Sequence, residues 1–177
     1  MHKVGIGVLV LDNSDVAIES IERVKLSNKG RYGIGALFAI AFLNDGRPTQ
    51  VKDIATREGI PPRFLEQIFQ DLKRAGIVLS KRGPQGGYTL ASPAGEIRLG
   101  DIVRALEGPI ALGDAKGDPR AKRKVGAETR RVTESVLLDL SLRVEACFDG
   151  ITLADLCARA HELGIRRPVA QRLVYSI

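Results

Sequence analysis

Two cysteines and two histidines in 177 residues leave little for metal chemistry. Cys147 and Cys157 form no CxxC pair, and His2 and His161 no HxxxH pair, so the ligand spacing of a structural zinc site is missing and no metal is expected. Long apolar runs are lacking too. The longest candidate, Gly5 to Leu11, is too short to span a bilayer and runs into Asp12 with no small-residue cleavage site, so a cytoplasmic protein without a membrane partner is expected. There is no nucleophile beside a base, no carboxylate pair and no phosphate-binding glycine loop followed by Lys-Ser/Thr, which argues against an enzyme. The one glycine-rich stretch, Gly83 to Gly87, falls in a predicted hairpin rather than between a strand and a helix. Internal repeats are absent.

What is present is a folded chain with a lopsided charge. At 44% apolar residues it can bury a core, as one unit or as a small domain with an appendage. The net charge of +6 is concentrated: residues 25–93 carry 11 Lys/Arg against 5 Asp/Glu, whereas residues 1–24 carry 2 against 4 and residues 94–177 carry 14 against 12. A basic cluster alone is often only a solvated face. A basic cluster that coincides with a DNA-binding pattern is more than that.

Residues 63–88 carry that pattern. Phe64, Leu65, Ile68, Phe69 and Leu72 recur at the spacing of one helix face. The opposite face shows Arg63, Glu66, Gln67, Gln70, Lys73 and Arg74, which can reach base edges and phosphates. Gly76 ends this helix. Ile77-Val78-Leu79 and Tyr88-Thr89-Leu90 then read as strands flanking a basic tip, Lys81-Arg82-Gly83-Pro84-Gln85-Gly86-Gly87. Upstream, Ser27 is placed to cap a first helix whose apolar side includes Ile34, Leu37, Phe38, Ala41 and Phe42. Asp45-Gly46-Arg47-Pro48 makes a turn, and Thr49 is expected to cap a second helix carrying Val51, Ile54 and Ala55. Gly59-Ile60-Pro61-Pro62 supplies the turn into the third, with Pro62 in its first turn. The expected fold is therefore mainly α with a small β-hairpin wing: a winged helix-turn-helix plus a long dimerisation helix.

The chain divides into an extension (1–24), the winged domain (25–93), a short helix and basic loop (94–127), a long helix and a last helix (128–164), and a tail (165–177). The acidic extension looks foreign to the rest of the chain, and translation starting at Val24 would account for it; an N-terminal peptide containing Val8 to Leu11 from the native protein would exclude that. A short helix from Asp101 to Glu107 ends at Gly108, a natural left-handed cap. The long helix, Glu128 to Asp149, carries a stripe of Val132, Val136, Leu137, Leu140, Val144, Cys147 and Phe148. Such a stripe either packs on its own chain or pairs with its twin in a symmetric dimer. After Gly150, Thr152 with Asp155 forms a capping box for the last helix, through Leu163.

Lys25 to Gly33, Phe64 to Ile68 and Lys81 to Tyr88 together resemble the Rrf-two family of bacterial winged-helix transcription regulators, over Val24 to about Leu163. Its members include the iron–sulfur cluster regulator, the nitric-oxide-sensitive repressor and the cysteine-metabolism repressor. The resemblance implies a homodimer, more often a repressor, that binds double-stranded DNA at a partly palindromic operator with both wings in flanking minor grooves. It makes Glu66 and Gln67 base readers and Arg82 the residue that enters the minor groove. Physical argument agrees: Glu66 faces DNA usefully only by accepting from a cytosine amino group, and Arg82 suits the negative potential focused in a narrow groove. Glu66 is otherwise a solvated charge. Pro62, Pro84 and Gln85 belong to the same surface, and Gly83, Gly86 and Gly87 would let the wing backbone approach the sugar-phosphate chain. Lys25, Ser27, Lys29, Arg31 and Tyr32 can hold phosphates, with core packing the other reading of Tyr32.

The departure from the family is in the loop before the long helix. Many relatives hold an iron–sulfur cluster there through three cysteines, whereas Leu112 to Val125 contains neither cysteine nor histidine, so no cofactor is expected. Cys147 and Cys157 are either a thiol switch, if the last helix folds back, or small buried hydrophobes. A regulatory protein or metabolite, or no ligand at all, are the other readings. Lys116, Arg120, Lys122, Arg123 and Lys124 either touch DNA or an acidic partner or form a solvated loop. A winged helix used only as a protein-interaction module is disfavoured because Glu66, Gln67, Gln70 and Arg82 are all retained.

Overall fold

The structure is a computed structural model that describes residues 26–43, 47–112 and 127–166. The extension 1–24, Lys25, the Asp45-Gly46 turn, the basic loop from 113 to 126 and most of the tail lie outside the described residues. Among the described residues, six helices and one hairpin follow in the order α1 (Asn28–Leu43), α2 (Val51–Glu58), α3 (Pro62–Arg74), β1 (Val78–Lys81), β2 (Gly87–Leu90), α4 (Leu99–Glu107), α5 (Ala127–Asp149) and α6 (Leu153–Glu162). None of the described helices is long and apolar enough to cross a membrane.

Helix α1 is the centre of the molecule, packed by α3, α4 and α6. Ala36, Leu37, Ala39, Ile40 and Phe42 are all buried, so α1 hides more of its circumference than the single apolar side expected of it. Its start is closed from two directions. The Gly30 amide donates to Ser27 Oγ at 3.3 Å, the expected N-cap. The Ser27 amide and hydroxyl then donate to Glu107 Oε1 at 3.0 and 2.8 Å. A capping box normally takes its carboxylate from the third helical residue. Here that residue is Gly30, and the carboxylate comes from the end of α4. A side chain at Gly30 would collide with Glu107, so the missing Cβ is what admits this partner.

Between α2 and α3, Gly59 sits at φ +65° and Pro62 occupies the first turn of α3. Helix α3 ends as expected near Gly76, with Gly76 donating to Lys73 and Ile77 to Leu72, a paired closure that turns the chain into β1. Strands β1 and β2 are antiparallel, with Val78 opposite Leu90 and Lys81 opposite Gly87. Thr49 is not the cap of α2. That position belongs to Gln50, while Thr49 exchanges two backbone hydrogen bonds with Tyr88, at 2.9 and 2.8 Å, and extends the wing by one bridge. Pairing with a distant strand satisfies its backbone and overrides the local capping preference.

Helices α4 and α6 start side by side, stitched by Leu99 N–H to Ile151 and Leu153 N–H to Ile97. Gly108 follows α4 at φ +87° and ψ −167°, an extended glycine conformation rather than the left-handed cap expected, so the chain leaves straight. Arg104 joins α4 to α5 by reaching Asp149 at 2.7 Å and Glu145 at 3.2 Å, and it also pairs with Asp101 at 2.7 Å. The Thr152–Asp155 capping box is present, and Leu153 is fully buried behind it.

The long stripe of α5 divides in two. Leu137, Val144 and Phe148 are half-buried against the chain, whereas Val132, Val136, Leu140 and Cys147 are exposed. Cys147 is thus no core residue of its own chain; only Cys157 is partly covered.

Hydrogen bonds from the Thr152 side chain and backbone hold the Asp155 carboxyl below its ordinary range, and those from Arg104 do the same for Asp149. Both groups therefore stabilise the fold fully above the unfolded carboxylate pKa, and that contribution is lost as pH falls through the lower folded values. Thermal melts should show the midpoint dropping between about pH 5 and pH 3. Asp155→Asn should melt lower at neutral pH and lose less on acidification; an acid response equal to that of the parent protein would contradict the assignment.

Candidate DNA interface

The amphipathic pattern of α3 predicts which side chains remain available, and the structure places them so. Leu65, Ile68, Phe69 and Leu72 are buried, while Pro62, Arg63, Glu66, Gln67, Gln70 and Lys73 are exposed. Two ring contacts fix the helix in place. Phe64 meets Tyr32 of α1 edge-on at 6.0 Å between centroids, and Phe69 stacks on Tyr88 of β2 at 4.5 Å. The exposed face of α3 is thereby tied both to α1 and to the wing. Tyr32 is 37% exposed, so it packs on Phe64 and still presents an edge to solvent.

Charge pairing sorts the basic residues into two groups. Lys29 is held by Asp71 of α3, which also takes Arg74 at 2.9 Å. The hydrogen bond from Lys29 is the main reason the Asp71 carboxyl lies below its ordinary range. Lys29 is thus a strut between α1 and α3 rather than a free phosphate ligand, and the pairing neutralises the one aspartate of the recognition helix. Ser27 is similarly engaged with Glu107. Arg31, Arg63, Lys73, Lys81 and Arg82 are exposed and pair with no carboxylate among the described residues. An exposed cation without an internal partner loses no pairing energy when it moves onto a phosphate.

The wing tip carries Arg82, Gly83, Pro84 and Gln85, all exposed. Gly86 and Gly87 serve the hairpin itself. A Cβ on Gly86 would strike the carbonyls of Lys81 and Gly83, and one on Gly87 would strike the Thr49 carbonyl. Gly86 is buried, so these two bring the protein's own backbones together instead of admitting a sugar-phosphate chain. Two further residues contribute to the wing. Gln50 donates its side-chain amide to the Pro84 carbonyl at 3.1 Å, anchoring the tip to the start of α2. Lys81 adds an exposed cation at the base of the tip. The basic run signalled Lys81, but the Gln50 contact depends on where the wing folds and has no signature in sequence.

No group of three or more His, Cys, Asp or Glu capable of holding a metal occurs among the described residues. Nor does the interface hold a paired acid and base or a nucleophile. It presents hydrogen-bond donors, acceptors and positive charge on one helix and one hairpin, the inventory needed to read a duplex.

Known proteins agree with this geometry. The sequence profile of the Rrf2 family, described as iron-dependent transcriptional regulators, matches residues 26–159. The IscR transcriptional regulator of Vibrio atlanticus is 37% identical over 133 residues, covering 75% of both chains. An HTH-type transcriptional regulator of Haemophilus influenzae is 40% identical over 133 residues, covering 75% of this chain and 86% of its own. Among solved structures, T. potens IscR superposes with a TM-score of 0.63 at 36% identity, over 82% of this chain and 94% of that one. CymR, the global cysteine regulator of B. subtilis, superposes at 0.55 with 36% identity, over 77% and 98%. These relatives are transcriptional regulators, not enzymes. With its winged helix-turn-helix, its basic recognition surface and a profile match across most of its length, the chain belongs to the Rrf2 family of DNA-binding transcriptional regulators.

Proposed function

We propose that the protein is a homodimeric repressor that reads a partly palindromic operator. Glu66 and Gln67 act in the major groove, and Arg82 in the flanking minor groove. The observation that carries this reading is the division of charge on the interface, where Arg63 and Lys73 of α3 and Lys81 and Arg82 of the wing are exposed and pair with no carboxylate among the described residues, whereas Lys29 and Arg74 are held by Asp71. A winged helix serving only protein contacts has no use for such a set.

The dimer reading rests on α5. Val132, Val136 and Leu140 are 65%, 53% and 43% exposed, and Cys147 continues the same side of the helix, with Arg143 between. Exposed apolar side chains on three consecutive turns, with Cys147 one turn beyond Arg143, are costly to leave in water and suit a second copy of the same helix. Cys147 is then a small apolar residue of that seam.

The family's iron–sulfur cluster does not fit the residues present. Such clusters are held by several thiolates, and the chain has two cysteines, one on α5 and one on α6. The loop from 112 to 125, where relatives carry their ligands, has none. Regulation therefore runs through a metabolite or partner protein in this reading.

Four outcomes are expected. Arg82→Ala should weaken binding to the protein's own upstream DNA, followed by fluorescence anisotropy, by about 1–3 kcal/mol; unchanged affinity would remove the wing from the interface. Glu66→Ala should narrow the gap between operator and random DNA more than it lowers total affinity, and a parallel loss on both would end its role as a reader. Leu140→Arg should convert a dimer into a monomer in light scattering while leaving the circular dichroism of the fold intact. Mild oxidation should leave operator affinity unchanged, since Cys147 packs in the seam; a large loss reversed by dithiothreitol would instead make Cys147 and Cys157 a switch.

A further inference from the structure

Helix α3 carries two carboxylates, Glu66 on its exposed face and Asp71 on the side toward α1. Their surroundings differ. Glu66 pairs with no cation among the described residues, whereas Asp71 holds two. Lys29 reaches Asp71 from α1, and Arg74, three residues further along α3, reaches it at 2.9 Å. The Asp71 side chain is only 18% exposed, so these pairs are screened less than pairs in open water. The hydrogen bond from Lys29 keeps its carboxyl below the ordinary range, so both cations meet a full negative charge at neutral pH.

Bracing the fold accounts for only part of this arrangement. Helices α1 and α3 are already joined by Tyr32 on Phe64 and by a shared apolar core. A strut between them needs one cation, and Asp71 takes two. Arg74 is 75% exposed and belongs to the same helix as Asp71, so their pairing ties no elements together. The cluster also borders the side chains that face a duplex, since Gln67 stands one turn before Asp71 and Gln70 one turn before Arg74. We propose that Asp71 is a specificity-determining residue: by withholding Lys29 and Arg74 from phosphate, it lowers affinity for DNA of any sequence more than affinity for the operator.

This inference rests on the reading of α1, α3 and the wing as the DNA-facing surface. Binding to random sequence is made almost wholly of phosphate contacts, and phosphates recur along every duplex. A long cationic side chain without a partner finds one in any register. In the operator complex the base contacts fix the register, so the same side chain meets only the phosphate which that register presents. Freed cations therefore favour random DNA more than the operator. Asp71 restrains them and also repels any phosphate that comes near it. It gives up strength on every sequence, and discrimination between sequences rises.

The test uses the full-length protein, fluorescence anisotropy and two duplexes: one that the protein selects from a random library, and a scrambled duplex of the same composition. Asp71→Asn keeps the shape of the side chain and removes its charge. Binding to the scrambled duplex should tighten by about tenfold per freed cation at about 0.1 M salt, and the slope of log affinity against log salt should steepen by about one for each. The selected duplex should gain less, so the ratio of the two affinities falls. Adding Arg74→Gln to Asp71→Asn should take back part of the gain. A residue that only braces the fold would give weaker binding on both duplexes, never a gain. An unchanged slope, or an equal gain on both, would overturn the proposal. Arg74→Gln alone, at an exposed position, gives a measure independent of how well the Asp71 variant folds. It should flatten the slope less than Arg63→Gln does, because Arg74 is already held; equal flattening by the two would also overturn the proposal. A parent protein that binds neither duplex would overturn the DNA-binding reading itself, and this role with it.

Discussion

The burial of α1 is the constraint on which the other elements depend. Its small residues let α3, α4 and α6 approach closely enough to share one core, and Phe42 and Leu37 fill that core from the middle. The helix also links the end of α4 to the DNA-facing surface. Ser27 is held by Glu107, Lys29 by Asp71, and Tyr32 rests on Phe64. These three residues therefore position neighbours, and Arg31 remains as the cation free to work outside.

The same economy runs through the whole interface. Charges that brace the fold are paired inside it, as with Lys29, Asp71 and Arg74, or with Arg104 across α4 and α5. The exposed cations Arg63, Lys73, Lys81 and Arg82 are left without a carboxylate partner among the described residues. The wing obeys a related division: Gly86 and Gly87 close the hairpin onto Lys81 and Thr49, and Gln50 holds Pro84, so that Arg82 projects from a braced turn. A side chain held on a rigid support loses less freedom when it binds, which favours affinity and register together.

Helix α5 is the element that a single chain leaves incomplete. Arg104 and Phe148 dock one side of it, and its other side keeps Val132, Val136 and Leu140 in water. A helix built this way gains little from its own chain along its first turns, which is what the proposed dimer rests on. The exposed leucines Leu138 and Leu142, at 61% and 56%, extend the uncovered surface to a second side of the helix.

Much of this was legible in the residues. Periodicity placed α3 and its buried face, because a recognition helix must be apolar on one side and polar on the other. Ser27, Gly76 and the Thr152–Asp155 box marked helix ends through hydrogen bonds between near neighbours, which is why sequence alone could determine them. Tertiary structure decided what no local pattern encodes. It gave Thr49 to Tyr88 instead of to α2, replaced the carboxylate of the α1 cap by Glu107 from 80 residues away, and split the α5 stripe into a docked side and an exposed one. It also separated Lys29 from Arg31, two cations of equal promise in sequence. Hydrogen bonds and ion pairs between distant segments depend on how helices cross, and helix crossing is settled by the packing of the whole core.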